Sequence, residues 1–97
     1  IPKLYLDIEN NFNSENYEAC VKMEKALAEL ALQRNDTLVA NAYYYIGLSN
    51  SLLGKTEKAI SLFEKEKVVR ESLGLQSSED YGNVLSNLVT LYFEIGN

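Results

Sequence analysis

Histidine is absent from this 97-residue chain, and cysteine occurs once, at Cys20. Without a Cys/His cluster the usual zinc and haem ligand sets cannot be assembled, so no metal or other cofactor is expected. A lone cysteine closes no internal disulfide, which fits a reducing, cytoplasmic setting. Cys20 lies among Ala19, Val21 and Met23 in a helical pattern and reads as a small core hydrophobe. Catalysis has equally little to work with: there is no histidine base and no nucleophile–base constellation, and the carboxylates scatter over solvated faces. An enzyme is therefore not expected. No apolar run approaches the ~20 residues of a membrane span, so no membrane partner is expected. Basic residues are also scarce, nine against fourteen acidic, for a net charge of −5. With no basic stripe, phosphate backbones would be repelled and nucleic acid is excluded as a partner. The densest basic stretch, residues 65–70, is interleaved with Glu64, Glu66 and Glu71. It reads as a solvated helix face with ion pairs of about a few tenths of a kcal/mol each. The chain opens on Ile1 without a signal-peptide pattern, as expected of a piece of a larger protein.

What is present is helical periodicity. A hydrophobic fraction of 46% and a charged fraction of 24% suit one ordinary globular domain. Leu4, Ile8 and Phe12 form one stripe of a first helix, over residues 2–13, with Pro2 in its first turn. Residues 15–34 form a second, with Tyr17, Cys20, Val21, Leu27, Ala28 and Ala31 on one face, widened by Met23, Ala26 and Leu30. Ser14 would cap its start and Asn35 would take a left-handed stop. The third spans 37–53, capped by Asp36 or Thr37, with Val39, Tyr43, Ile46, Asn50 and Leu53 along a seam. Gly54 breaks it, and Thr56 caps a fourth over 57–73 carrying Ala59, Ile60, Phe63, Val68 and Leu73. Gly74 ends that helix. Ser77 or Ser78 opens a fifth over 79–95, with Tyr81, Leu85, Leu88, Tyr92 and Ile95 in register and Gly96 at its end. Five helices and no strand are expected, since no period-2 alternation is visible.

The chain also repeats itself. A shift of forty residues places Gly54 on Ser14, Ala59 on Ala19, Phe63 on Met23 and Leu48 on Ile8. A shift of forty-two places Gly54-Lys55 on Gly96-Asn97, Leu53 on Ile95 and Ile46 on Leu88. The domain divides accordingly into a hairpin over 2–34, a hairpin over 37–73 and the first helix of a third unit over 79–95. A single hairpin cannot bury its own faces, so such units stack.

The central run IGLSNSLLGKTEKAISLF resembles the tetratricopeptide repeat pattern. Ile46-Gly47, Leu53-Gly54, Ala59 and Phe63 fill its places, and Leu88-Val89, Tyr92 and Ile95-Gly96 repeat its first half. In the first unit Leu6-Asp7 and Ser14 stand where Leu-Gly and glycine are usual. The spacing exceeds the usual ~34 residues and resembles the long-helix variants of that family. The resemblance implies an all-α, α-α superhelix of about two and a half repeats.

It further implies a scaffold module that binds a protein or peptide ligand on a concave face made by the first helix of each hairpin. In the middle helix that surface comprises Asn41, Tyr44, Tyr45, Leu48, Ser51 and Leu52, and in the last Asn83, Ser86, Asn87, Thr90 and Glu94. Asn87 precedes Leu88 as a backbone-clamping asparagine precedes the Leu-Gly pair in peptide-binding relatives. Its amide can both donate and accept. Tyr45 holds the matching place one repeat earlier, so the amide is missing there. The consecutive Tyr43, Tyr44 and Tyr45 point in different directions; Tyr43 packs inward, leaving Tyr44 and Tyr45 for an exposed aromatic contact. The places where chaperone-binding members carry cations for a carboxylate clamp hold Leu4, Ile8, Tyr45, Asn83 and Asn87, which argues against that ligand.

Two short motifs are incidental. Gly54-Lys55-Thr56 ends like a phosphate-binding loop, but Ser49 stands where the earlier glycine belongs and a helix precedes it. Asn35-Asp36-Thr37 matches a glycosylation acceptor, without any sign of secretion. The alternative to peptide binding is a structural segment of a larger signalling or regulatory protein. Its terminal helices would then dock the rest of the chain or form a homo-oligomer, because Leu88, Tyr92 and Ile95 need cover.

Overall fold

The structure is a computed structural model and describes residues 2–96. Six α-helices follow one another in adjacent packed pairs: α1 (Lys3–Asn13), α2 (Tyr17–Val21), α3 (Glu24–Ala31), α4 (Thr37–Leu52), α5 (Thr56–Ser72) and α6 (Glu79–Glu94). No strand occurs among the described residues. The extra helix arises where the segment 15–34 breaks at Lys22 and Met23. Met23 sits at φ −90°, ψ 0°, and its N–H bonds to the Cys20 carbonyl only three residues back. That single tightened turn re-aims the second half. Leu27 is buried, while Ala26 and Ala28, expected on the core face, are exposed.

α4 is the hub, touching α1, α2, α3 and α5. Its sequence explains this: the sixteen residues TLVANAYYYIGLSNSL contain no charge, so almost every direction can be buried. One core cluster joins Tyr5, Ile8, Leu27, Val39, Ala42, Tyr43, Ile46 and Leu62. A second joins Ala59, Ile60 and Phe63 of α5 to Val84, Leu88 and Leu91 of α6, with Tyr44, Leu48 and Tyr81 at its margin. Cys20 is fully buried and its thiol donates to the Ile8 carbonyl at 3.5 Å. Val68, assigned to the apolar side of its helix, is instead exposed, as are Tyr92 and Ile95.

The α4–α5 approach depends on Gly47. A Cβ there would meet three atoms of the Phe63 ring at 3.0, 3.1 and 3.3 Å. Val89 occupies the corresponding place in α6 and is largely exposed.

Helix ends reuse one device. Gly54, Gly74 and Gly96 adopt φ of 79°, 72° and 84°. Following Gly54 and Gly74, the Lys55 and Leu75 N–H groups reach back to the Asn50 and Arg70 carbonyls. This is a left-handed stop that glycine adopts without strain. α1 ends in the same way, with the Asn16 N–H on the Asn11 carbonyl, but the left-handed residue is Glu15 at φ 61°. Ser14 is therefore the end of α1 and not a cap for α2, and Asn35 is not left-handed. Glu15 and Gly54 are 39 residues apart, so the first unit is offset by one from the forty-residue alignment. Asp7-Ile8, rather than Leu6-Asp7, then matches Ile46-Gly47. Two amides agree: Asn11 donates to the Asp7 carbonyl at 2.7 Å and Asn50 to the Ile46 carbonyl at 2.8 Å. At the starts, Asp36 and Ser78 accept from the Val39 and Tyr81 N–H groups. Thr56 is already the first residue of α5, and no side chain caps it.

Two substitutions test these assignments by thermal unfolding. Glu15→Gly should remove left-handed strain and stabilise by about 1 kcal/mol, raising Tm by about 4–8 °C. Gly47→Ala should cost about 1–3 kcal/mol through overpacking against Phe63. An unmoved Tm in either variant contradicts the corresponding assignment.

Candidate functional site

The helical register brings three helices to one cavity. α4 contributes Asn41, Tyr44 and Tyr45, which project together at spacings of three and four. α6 contributes Asp80 and Asn83 from its first two turns. The floor is Glu66 and Arg70 of α5. The volume of the cavity is about 290 Å³.

Glu66 and Arg70 depart furthest from expectation. They belong to the run read as a solvated face, yet their exposures are 1% and 3%. Counting back four from Arg70 gives Glu66, then three to Phe63 and four to Ala59, so the pair continues the buried stripe of α5. The Arg70 Nε donates to Glu66 Oε2 at 2.8 Å, and its Nη2 donates to Asn41 Oδ1 at 2.9 Å. Its Nη1 lies 3.9 Å from Asp80 Oδ2, which is mostly exposed. Glu66 Oε1 is buried and accepts no hydrogen bond among the described residues. Burial pushes the Glu66 carboxyl up to about 7, outweighing the Arg70 hydrogen bond and charge that pull it down. Breaking such a pair by removing one member leaves an uncompensated charge, so the two stand or fall together.

The tyrosines are less exposed than expected. Tyr45 packs against Phe12, Tyr44 and Tyr5, with ring centroids at 5.0, 5.5 and 6.4 Å, and so belongs to the margin of the first core cluster. Tyr44 lies 6.3 Å from Phe63. Burial raises both phenols, and the nearby Glu66 and Asp80 raise Tyr44 further, so each stays a neutral hydroxyl. Tyr43 is buried, as its place in the seam requires.

Of the residues singled out from sequence, Asn41, Tyr44, Tyr45 and Asn83 meet in this cavity. Leu48 instead packs on the second core cluster. Ser51, Leu52, Ser86, Asn87, Thr90 and Glu94 are outside the cavity, with Asn87 half-buried and Leu52, Ser86, Thr90 and Glu94 exposed. Glu66, Arg70 and Asp80 complete the site and were not singled out. The described residues contain no group of His, Cys, Asp and Glu that could hold a metal ion. No helix among them is long and apolar enough to cross a membrane.

Comparison with known proteins gives one distant likeness. The chain is similar to tetratricopeptide repeat protein 1 of Schizosaccharomyces pombe, with 32% identity over 75 residues. The match covers 75% of this chain and 7% of the relative, so the chain spans a small part of the protein it resembles. No family profile matches the chain. No solved structure matches it either. The likeness is to a tetratricopeptide-type helical module, a class that generally serves protein interaction and is usually non-catalytic.

The raised Glu66 carboxyl fixes a pH dependence. A folded value above the unfolded one contributes stability that is full below about 4.5 and lost as pH rises through about 7. The swing is about 3 kcal/mol. Urea midpoints should therefore fall between pH 5 and pH 8 by an amount that Glu66→Gln abolishes. An equally steep fall in the variant would assign the slope to other groups.

Proposed function

We propose that this chain is a non-enzymatic interaction module that grips an extended segment of a protein partner where α4, α5 and α6 converge. The observation that carries the reading is the cavity itself, in which two amides, two tyrosines and a buried ion pair meet on three helices. Amides at Asn41 and Asn83 can donate to or accept from a peptide backbone irrespective of its sequence. The tyrosines supply rigid contact area at small entropic cost. The floor is held by the Arg70 bonds to Glu66 and Asn41, so the groove is pre-organised.

The proposed setting is a stacked array of long-helix tetratricopeptide-type repeats, with Asn41 and Asn83 in equivalent places forty-two residues apart. The helix lengths of sixteen and seventeen residues in α4 and α5 support the long-helix form. Asn87, Ser86, Thr90 and Glu94 extend the proposed surface along α6, and Leu48, Ser51 and Leu52 extend it along α4. A second reading is favoured by α6 and the residue that caps its end, where Leu85, Val89, Tyr92, Phe93 and Ile95 are all exposed. That face suits the rest of a longer chain or a second copy.

Selection from a displayed random-peptide library tests the first reading. Binders should lose affinity for Tyr44→Ala and Asn83→Ala, and Asn87→Ala should weaken them by about 1–3 kcal/mol if its amide grips a backbone. Binders indifferent to all three would remove the groove from the function. Light scattering tests the self-association arm of the second reading, which a clean monomer would contradict.

A further inference from the structure

The charges divide unequally between the helices. α1, α4 and α6 together carry Asp7, Glu9, Glu79, Asp80 and Glu94 against a single cation, Lys3. That cation is tied to Asp7 at 2.9 Å. α5, in contrast, balances Lys58, Lys65, Lys67 and Arg70 against four glutamates. Of the acidic set, Asp80 lines the groove proposed above, together with Glu66 of α5. At its centre Glu66 and Asp80 face one cation, Arg70, whose Nε and Nη2 are already committed to Glu66 and Asn41. Glu66 Oε1 is left buried without a donor. The Tyr44 and Tyr45 rings complete the wall, and aromatic faces attract cations.

We propose that the partner segment is basic and that it places a lysine or arginine side chain in this cavity, beside Asp80 and the tyrosine faces. This rests on the peptide-binding reading and adds its chemistry. The incoming cation supplies the positive charge that the cluster of Glu66, Asp80 and Arg70 lacks. It also favours the ionised form of Glu66, which faces Arg70 on its own helix, Asp80 on α6, and Tyr44 and Tyr45 on α4. Binding should therefore tighten as pH rises through neutrality.

Fluorescence anisotropy of the full 97-residue chain provides the test. The probes are a short labelled peptide in which lysine and arginine alternate with glycine and alanine, and the same peptide with glutamine or glutamate at the basic positions. The basic peptide should bind about tenfold or more tighter than the glutamine peptide, with the glutamate peptide weakest. Asp80→Asn, at an exposed position, should remove most of that difference. Glu29→Gln, an equal change of charge on the exposed surface of α3, should leave it intact. Equal loss in both variants would mean general attraction to an acidic protein and would overturn the proposal. Equal binding of basic and glutamine peptides, still lost in Tyr44→Ala, would overturn the charge preference while keeping the groove. Failure of every peptide to bind would remove both.

Discussion

The distance between α4 and α5 governs this molecule. It is set where the Phe63 ring lies over Gly47, at a separation where an added methyl group would force the ring to shift. That contact fixes the two longest central helices against each other, and both core clusters are built outward from them. The first cluster uses the side of α4 that meets α1 and α3, and the second uses the side of α5 that meets α6. The cavity inherits its dimensions from the same approach, because its wall is α4 and its floor is α5. Side chains two turns beyond Phe63 are carried to the cavity floor by the helical period alone.

The helices, the glycine stops and the place of Gly47 and Phe63 in the repeat were legible because each depends on a residue preference with one physical use. A left-handed turn wants glycine, and a close helix crossing wants a small residue opposite a large one. The stop at Glu15 was not legible, since no residue preference marks a glutamate at positive φ. The polar Ser14 beside it drew the alignment one residue away. The break at Met23 was equally silent, lying inside a stretch of strong helix formers where propensity favours continuation. The long 15–34 helix was therefore an overreach of a correct local rule.

The lining of the candidate cavity was half legible. Asn41, Tyr44, Tyr45 and Asn83 were found through their place on the helices, whereas Glu66 and Arg70 were hidden by their chemistry. Alternating signs usually mark a solvated face, and five of the seven residues from Glu64 to Arg70 are charged. Extending the Ala59–Phe63 stripe by two further turns would have placed the pair inside. Buried charges of this kind contribute little net stability and serve better to fix a geometry. Here the geometry fixed is that of Asn41, held by Arg70 from the opposite helix.

Val89 carries a different implication. It stands in α6 where Gly47 stands in α4, and it keeps a branched side chain pointed at open space. Two methyl groups act there as a spacer of fixed thickness. A helix laid over α6 at that point would meet an isopropyl group where α5 meets the bare Cα of Gly47 in α4. Equivalent places in the two units thus carry a single hydrogen atom in one and an isopropyl group in the next.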